Sequence, residues 1–565
     1  MSPHQTYEVI NSYVVFWGLF FSVLFALAVG YLCLKIGQTV DAFAPVSVLA
    51  MGMAVLFHRR NAFPETVHIQ AIASAGTNII GGAMFILPAL YILNIEDVSF
   101  LEMAIPIVLG GVLGVFLATV FRRYFCEEMD GVYPFPSGSA AAEVLESDEG
   151  SKAHIMLVSG AVALVYDFVL NSRGWWQELL TTTTFHWGQV LADKYKLVFS
   201  LDNDAALLGI GMLAMSGIIG LLSMSGVVVR VVKRAVADLF SKGASSSGML
   251  LRTQQDLPMT QIVFGSLLMT ILFAVFFHVM CAESLTQTVI AFVLVMLFAL
   301  MLSVVGISSI AFTGNEPVSG MTIFMIIVSA VVMGGAGMAG KTGIIAILMM
   351  AAFLCATLAV SGNFMSELKV AYITGATPKK MQQWQLVSIV LAGVVSVGVV
   401  FLMHHAYGFT GEGALAAPQA NAMAAIVKPM MDGGDAPWPL YMAGAFFAVL
   451  LWMMKIPPLA FALGSYLPMG INTPVLVGGL ISYFVSHSSD DAKVNAKRLS
   501  EGNTVASGFV AGGAIGSLIS AVLHIAGIDW FAKAWAASPA ATFAGIVAYF
   551  VLCIFLYAMA KRAVK

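Results

Sequence analysis

The chain has 565 residues, of which 59% are hydrophobic and 10% charged; a soluble domain averages about 45–50% apolar and about 25% charged. Too few polar side chains are present to coat a water-soluble body of this length, and a formal net charge of −3 excludes a nucleic-acid partner. Lipid is the remaining solvent. Hydrocarbon leaves no backbone N–H or C=O unpaired, so apolar stretches of about 20 residues are read as helices.

In chain order, the first apolar run is 14–34. It is too long for a signal-peptide core and lacks a basic region ahead of it, so it is read as a retained span. Further runs follow at 39–57, 67–93, 101–121, 153–171 and 205–229. After a basic segment, 230–258, come 260–281, 286–307, 319–336, 342–361, 385–404, 438–453, 456–470, 473–487, 504–527 and 540–560. The fold class is therefore all-α: a polytopic membrane helical bundle of about 14–16 spans, the shortest of them re-entrant. The basic segment separates an N-terminal half, 1–258, from a C-terminal half, 259–565, and the two are read as related. With the N-terminus in the cytoplasm, Arg59–Arg60, Arg122–Arg123, the Arg230 to Arg252 stretch, Lys379–Lys380, Lys493/Lys497/Arg498 and Lys561–Arg562 all fall inside. The turn Asn94 to Asp97 and the 405–437 loop fall outside. This predicts a multi-pass protein of the cytoplasmic membrane with both termini in the cytoplasm.

Several spans are punctuated. Tyr133-Pro134-Phe135-Pro136-Ser137-Gly138-Ser139 cannot be regular helix, because two prolines block it and Gly138 permits a sharp turn. Ser139 is the expected N-cap of the run that follows. A helix starting inside the protein would aim free N–H groups at an anion; a plain cytoplasmic turn after Arg122–Arg123 is the equal alternative. Ser361 to Lys369 reads as a second interrupted element at a matching place in the other half, an arrangement that points to a transporter site. Lys455 to Pro468 is a third, with Pro457, Pro458 and Pro468 bracketing about ten residues, too few for a span. Gly335 to Thr342 matches the phosphate-binding pattern G-x-x-x-x-G-K-[ST], but the apolar helix after it belongs to a membrane and not to a nucleotide-binding sheet, so a glycine-rich turn between spans is expected.

Ionisable groups in or near spans each cost roughly 2.5–3.5 kcal/mol at a helix centre, so a partner or a role is expected for Glu143, Asp167, Glu316 and Glu367. Glu367 and Lys369 are two apart and cannot face each other on one helix. Gly110-x-x-x-Gly114, Gly508-x-x-x-Gly512 and Gly512-x-x-x-Gly516 fit internal helix packing. The five cysteines form no C-x-x-C, no zinc-binding or nucleophile-elbow pattern occurs, and neither a cofactor, a metal site nor an enzyme activity is read.

Four blocks resemble the oligopeptide transporter superfamily, which includes the yellow stripe-like metal-chelate carriers. Tyr133 to Leu145 is similar to that family's L-P-F-P-S-G-x-A-x-A-E-V-L. Ser366-Glu-Leu-Lys369 to Gly375-Ala-Thr-Pro-Lys379 is similar to its Q-D-L-K-T-G-Y-L-x-G-A-T-P-R. Ile456-Pro-Pro to Gly464-Ser-Tyr-Leu-Pro468 and Ala506 to Gly512 match two more of its blocks, in order. Glu367 stands where the family usually has Asp, and Ala371 where it has Gly. The resemblance implies one integrated transport domain: a proton-coupled secondary carrier importing small oligopeptides or peptide-like compounds by alternating access. Its alternative is a carrier of metal chelates; a channel or an ATP-driven pump fits less well. On this reading Tyr133, Phe135, Pro136, Ser137, Gly138, Glu143, Asn363, Lys369, Lys455 and Tyr466 line the substrate site. Glu143, Asp167, Glu316 and Glu367 are the candidates for proton coupling. The partners implied are a small-molecule or short-peptide substrate, protons and the lipid bilayer, and a homo-oligomer is compatible with all of this.

Overall fold

The computed structural model describes residues 10–37, 39, 43–59, 62–130, 133, 135, 138–139, 141–142, 145, 150–195, 197–205, 208, 252–313, 316, 318–411, 414–432, 438–454, 461, 469–525, 528, 530, 532–536 and 538–562. Pro136, Ser137, Glu143, Lys455 and Tyr466 lie outside these residues, as do nearly all of the expected spans at 205–229 and 456–470.

The helices in chain order are α1 (Ser12–Ile36), α2 (Phe43–Leu56), α3 (Ala62–Ala73), α4 (Ala75–Asn78), α5 (Ile80–Met84), α6 (Pro88–Ile92), α7 (Phe100–Arg122) and α8 (Gly150–Arg173). A short hairpin follows, with β1 (Leu179–Thr181) antiparallel to β2 (Ser200–Asp202) and α9 (His186–Tyr195) between them. Then come α10 (Met259–Met280), α11 (Leu285–Thr313), α12 (Val318–Gly335), α13 (Gly340–Thr374), α14 (Pro378–Tyr407), α15 (Pro418–Met431), α16 (Trp438–Met453), α17 (Met469–Ser486), α18 (Ala492–Ile525), α19 (Lys533–Ala536) and α20 (Pro539–Arg562). Among the described residues eight helices are long and apolar enough to cross a membrane. The protein is a polytopic helical membrane protein.

The chain forms two compact units. Unit 1 comprises Met1–Phe43, His58–Glu146 and Met224–Ser465; unit 2 comprises Ala44–Phe57, Ser147–Ser223 and Tyr466–Lys565.

Unit 1 is centred on α13, whose window of highest hydropathy is 94% buried. It packs beside α7 through glycine. A Cβ on Gly110 would lie 2.2 Å from the Phe353 carbonyl oxygen, and one on Gly114 would lie 2.8 Å from that of Thr357. The Thr357 hydroxyl in turn donates to the Gly110 carbonyl at 3.0 Å. Residue numbers rise together along both helices, so α7 and α13 run parallel. The 67–93 run lies in one span, Ala62–Ile92, whose helix is distorted into α3 to α6 by turns at Ser74, Ile79 and Phe85–Leu87. Gly76 on α4 lets that distorted helix approach α1, where a Cβ would lie 1.9 Å from the Ser22 carbonyl.

The two ends of unit 1 differ in chemistry. At one end Lys341, just inside α13, pairs with Asp97, just before α7. The Gly335 to Thr342 stretch is thus a turn between α12 and α13, with left-handed backbone at Gly337 and Gly340. At the other end Arg122, only 1% exposed, is bound by Asp256 at 2.5 Å and Glu127 at 2.8 Å. Arg252 there donates to the Thr377 hydroxyl and the Gly375 carbonyl. The three basic places Arg122, Arg252 and Lys379 therefore share one end, where the Lys379 N–H also meets the Gln255 carbonyl.

Unit 2 is built on α8 and α18, again a parallel pair joined through glycine. A Cβ on Gly512 would lie 2.0 Å from the Gly160 carbonyl and one on Gly516 2.5 Å from that of Leu164. Further along, the Ser172 and Ser520 hydroxyls meet at 2.6 Å. The core of the unit adds Tyr166, Ile481, Val485, Phe509, Tyr549, Leu552 and Leu556 from α8, α17, α18 and α20. All three glycine repeats thus serve packing within a unit.

One expectation is corrected. Ser361 to Lys369 does not interrupt a helix; α13 runs unbroken for 35 residues from Gly340 to Thr374. Its polar side chains find partners without opening the backbone. Ser361 bonds back to the Leu358 carbonyl at 3.0 Å, and Asn363 reaches Glu316. Gly362 is there for close packing, since its absent Cβ would meet Ile310 and the Gly306 backbone of α11.

Candidate functional site

The lower half of α13 carries an unusual density of buried polar groups. Asn363, Ser366, Glu367 and Lys369 are each at most 4% exposed. At 100° per residue Asn363, Ser366 and Glu367 share one face, and Lys369 lies on the adjoining flank.

Asn363, Glu367 and Lys369 are each met by a different element of unit 1. Glu367 accepts a hydrogen bond from the Gln70 amide on α3 at 3.0 Å, both groups being buried. Gln70 stands one turn before the distortion at Ser74. Asn363 donates to the Glu316 carboxylate, between α11 and α12, at 2.8 Å. Lys369 donates to Asp130 at 2.5 Å and to the Cys126 carbonyl at 3.3 Å. Cys126 lies in the widened π-type turn Arg123–Glu128 that ends α7, a kind of turn found often at functional sites. The Lys369 ammonium also lies 4.7 Å from the Tyr372 ring centre and 5.8 Å from that of Phe135. Tyr372 donates to the other oxygen of Asp130 at 3.3 Å.

Tyr133, Phe135 and Gly138 lie beside this stretch. Tyr133 is 2% exposed and Phe135 fully buried. Phe135 has left-handed backbone, φ 42°, and its N–H donates to the Ala311 carbonyl of α11 at 2.9 Å. A Cβ on Gly138 would lie 2.9 Å from the Ser366 carbonyl, so glycine is what allows the segment to touch α13. Ser139 is not the N-cap. Its N–H already donates to the Phe135 carbonyl at 2.7 Å, one helical turn back, so the turn begins at Phe135, where the φ reversal sets the chain's direction.

Six of the expected site residues are thus gathered around α13: Tyr133, Phe135, Gly138, Asn363, Glu367 and Lys369, with Glu316 beside Asn363. Asp167 belongs to unit 2. It is fully buried in α8, and its carboxylate accepts from the Ala205 N–H at 3.2 Å. That bond ties the chain just after β2 to α8.

Two members of the cluster were not anticipated. Gln70 is one of two amides, with Asn78, in the 67–93 run, and an amide in a span is itself a signal. Asp130 precedes Tyr133 by three residues and looks, in sequence, like a loop carboxylate. Nothing local marks it as the partner of a lysine 239 positions away. The Gln70 Oε1, Asn363 Oδ1 and Ser366 Oγ atoms are buried with no hydrogen-bond partner among the described residues. Buried polar atoms are ordinarily satisfied, so this arrangement can accept further donors and acceptors from a polar guest.

Outside the spans two carboxylate–cation pairs are electrostatically tuned. Lys341 holds Asp97 below the usual carboxylate range by its hydrogen bond and its charge. Donating a hydrogen bond to the Glu65 carboxylate raises the pKa of the Arg59 guanidinium; Glu65, 1% exposed, accepts from both Arg59 and the Asn11 amide.

Comparison with known proteins agrees with these features. The family of the OPT oligopeptide transporter protein matches residues 9–229 and 201–524. A Haemophilus influenzae protein named "Putative oligopeptide transporter" is 22% identical over 596 residues, covering 88% of this chain and 93% of that relative. An Arabidopsis thaliana protein named "Probable metal-nicotianamine transporter YSL5" is 30% identical over 187 residues, covering 30% of this chain and 25% of that relative. With the two family matches extending over most of its length, this chain belongs to the OPT oligopeptide transporter family.

Proposed function

We propose that the chain is a proton-coupled secondary carrier that imports short peptides or peptide-like compounds across the cytoplasmic membrane by alternating access, with both termini in the cytoplasm. Lys369 receives the substrate carboxylate, and Asp130 holds the ammonium until a substrate displaces it. Glu367, held by Gln70, carries the coupling proton, with Glu316 as its neighbour on the Asn363 side. Tyr133, Phe135 and Gly138 form the wall opposite α13. Pro136, Ser137, Glu143, Lys455 and Tyr466 complete the site on the strength of the family resemblance. One charge moving inward through 100 mV supplies about 2.3 kcal/mol, enough to drive accumulation.

The observation that carries this reading is the pair of contacts on one helical turn: a buried carboxylate held by an amide, next to a buried ammonium held by a half-exposed carboxylate. An ion pair open on one side can exchange its carboxylate for that of a substrate, and a carboxyl inside a span is the kind of group that serves proton relays. The grouping of Arg122, Arg252 and Lys379 at one end of unit 1, with Asp97 and Lys341 at the other, supports the orientation.

A second reading, carriage of a metal chelate, is favoured by the partial match to the Arabidopsis protein. Uptake into proteoliposomes decides between them, using di- to pentapeptides and ferric chelates with and without an inward proton gradient. Peptide accumulation that collapses with the gradient is expected. Accumulation of chelates alone would replace peptide transport by the second reading, and flux of either kind indifferent to the gradient would remove proton coupling.

A further inference from the structure

Unit 2 carries a small module outside its long helices: β1, α9 and β2, with the 528–538 stretch alongside. Its apolar residues are turned outward. Phe185 and Trp187 stack at 6.0 Å between ring centres, and Trp187 is 56% exposed. Trp175, Leu179, Val190, Leu197, Val198, Phe199, Trp530 and Trp535 are exposed as well. On α9 the spacing sets Trp187, Val190 and Leu191 on one face and His186, Gln189 and Asp193 on another. The module is firmly built. The Trp535 indole N–H donates to the Trp175 carbonyl at 2.6 Å, the Arg173 guanidinium lies 4.7 Å over the Trp530 ring, and Gly188 fits against the Thr182 carbonyl, where a Cβ would lie 1.8 Å away.

We infer that this module lies in the membrane interface, its aromatic face sunk among lipid headgroups and upper acyl chains. Its position carries the inference. The hairpin is docked on the first turns of two apolar helices. Thr473 of α17 donates to the Ser200 carbonyl at 2.7 Å; on α20, Asn203 reaches the Gly545 carbonyl and Thr542 bonds Gln177. The outer side of α20 is bare apolar surface, with Phe543, Val547, Phe550, Val551 and Ile554 all exposed. This helix is long and apolar enough to span, so that surface is a lipid surface. The module's aromatics continue it at the level where the helix begins. Trp and Tyr concentrate at that level of a bilayer because their rings are apolar and their N–H or O–H groups polar. An amphipathic helix with Trp on its apolar face lies in that plane.

The test is spin-label accessibility in the full-length protein, reconstituted in phosphatidylcholine–phosphatidylglycerol vesicles. Cys553, the half-exposed thiol, is replaced by Ala, and single cysteines are placed at Trp187, Val190, Gln189 and Asp193; Phe185 and Phe199 serve if Trp187→Cys does not fold. Labels at 187 and 190 are expected to collide with oxygen and to lose collision with a water-soluble nickel chelate, while labels at 189 and 193 keep it. Equal nickel access at all four positions would overturn the assignment. So would spin–spin broadening between copies at 187, which would give the face to a second copy of the chain.

Discussion

Lys369 and Asp130 predict an unusual separation of stability from binding. The Lys369 side chain is 5% exposed and that of Asp130 49%. Replacing Asp130 with Asn leaves a buried ammonium with neutral acceptors alone, the Asn amide oxygen and the Cys126 carbonyl at 3.3 Å, and two ring faces. Breaking a fully buried pair from one side costs about 3–5 kcal/mol. A surface pair is worth about 0–1 kcal/mol, so the half-exposed geometry places Asp130→Asn at about 1.5–3 kcal/mol of lost stability, the range of a hydrogen bond to a charged group. Lys369→Met is the reverse. The buried charge goes, its stem is replaced by one of similar volume, and Asp130 returns to water, for a cost within about 1.5 kcal/mol. Binding runs the other way. Lys369→Met removes the charge that holds the substrate carboxylate and weakens apparent affinity about 10- to 100-fold, from about 1.5–3 kcal/mol at 1.4 kcal/mol per decade. Asp130→Asn removes the competitor, so peptide binds at least as tightly as to the parent. Thermal unfolding in detergent gives the first comparison, and tritiated-peptide binding the second. Lys369→Met binding peptide at parental affinity, or Asp130→Asn losing binding in step with Lys369→Met, would refute the displacement scheme.

Three further outcomes follow from single contacts. Glu367→Gln keeps an acceptor for Gln70 and should leave the melting temperature near the parent's, while uphill accumulation in a pH gradient is lost and downhill exchange persists; parental accumulation would clear Glu367 of the coupling role. Gly110→Ala and Gly512→Ala force a methyl to 2.2 and 2.0 Å from backbone carbonyls and should each cost about 1–3 kcal/mol as overpacking, whereas Gly398→Ala, with nothing within 4 Å, should be neutral or slightly stabilising. Equal melting temperatures for all three would mean the glycine seams are not close-packed. Asp97 is held below its unfolded pKa by Lys341, so the pair's contribution is full above the ordinary aspartate range and is lost only as pH falls through the depressed value. The difference in melting temperature between parent and Lys341→Met should therefore stay constant from pH 7 to about pH 5; a decline beginning near pH 6 would contradict the pairing.

The apolar helices were legible because hydropathy is a local property and lipid enforces it. The turn at Tyr133 to Ser139 was legible for the same reason, since proline and glycine act on their own backbone. What escaped was set by neighbours. Ser361-Gly362-Asn363 has the composition of a loop in water, but Gly362 is chosen by the Gly306 backbone, and Asn363 by Glu316. In hydrocarbon, with no water to take over backbone bonds, such residues stay helical. The 67–93 run is one span, as its hydropathy implies, but its local distortions at Ser74 and Ile79 are not marked by hydropathy. Their clue was Gly76, which reads as packing tolerance until Ser22 is found against it. Gln70 with Glu367, and Asp130 with Lys369, are separated by 297 and 239 positions, and no pattern within one segment encodes either partner.

The distorted helix and the unbroken one belong to the same design. The 62–92 helix is locally distorted at Ser74 and Ile79, and it carries Gln70 one turn before the first distortion. The α13 helix is continuous for 35 residues and locked to α7 by glycine contacts that tolerate no added methyl. Glu367 therefore sits on the rigid member and its amide partner on the distorted one. If alternating access moves α3 to α6 against α13, the Gln70–Glu367 bond is made in one state and broken in the other. The Glu367 carboxylate then has its amide donor in one state and lacks it in the other. Coupling would reside in that change, with no need for the proton and the peptide to share a ligand. Gln70→Leu should accordingly uncouple proton movement from peptide flux while peptide binding to Lys369 survives; loss of binding together with coupling would place Gln70 in the substrate site instead.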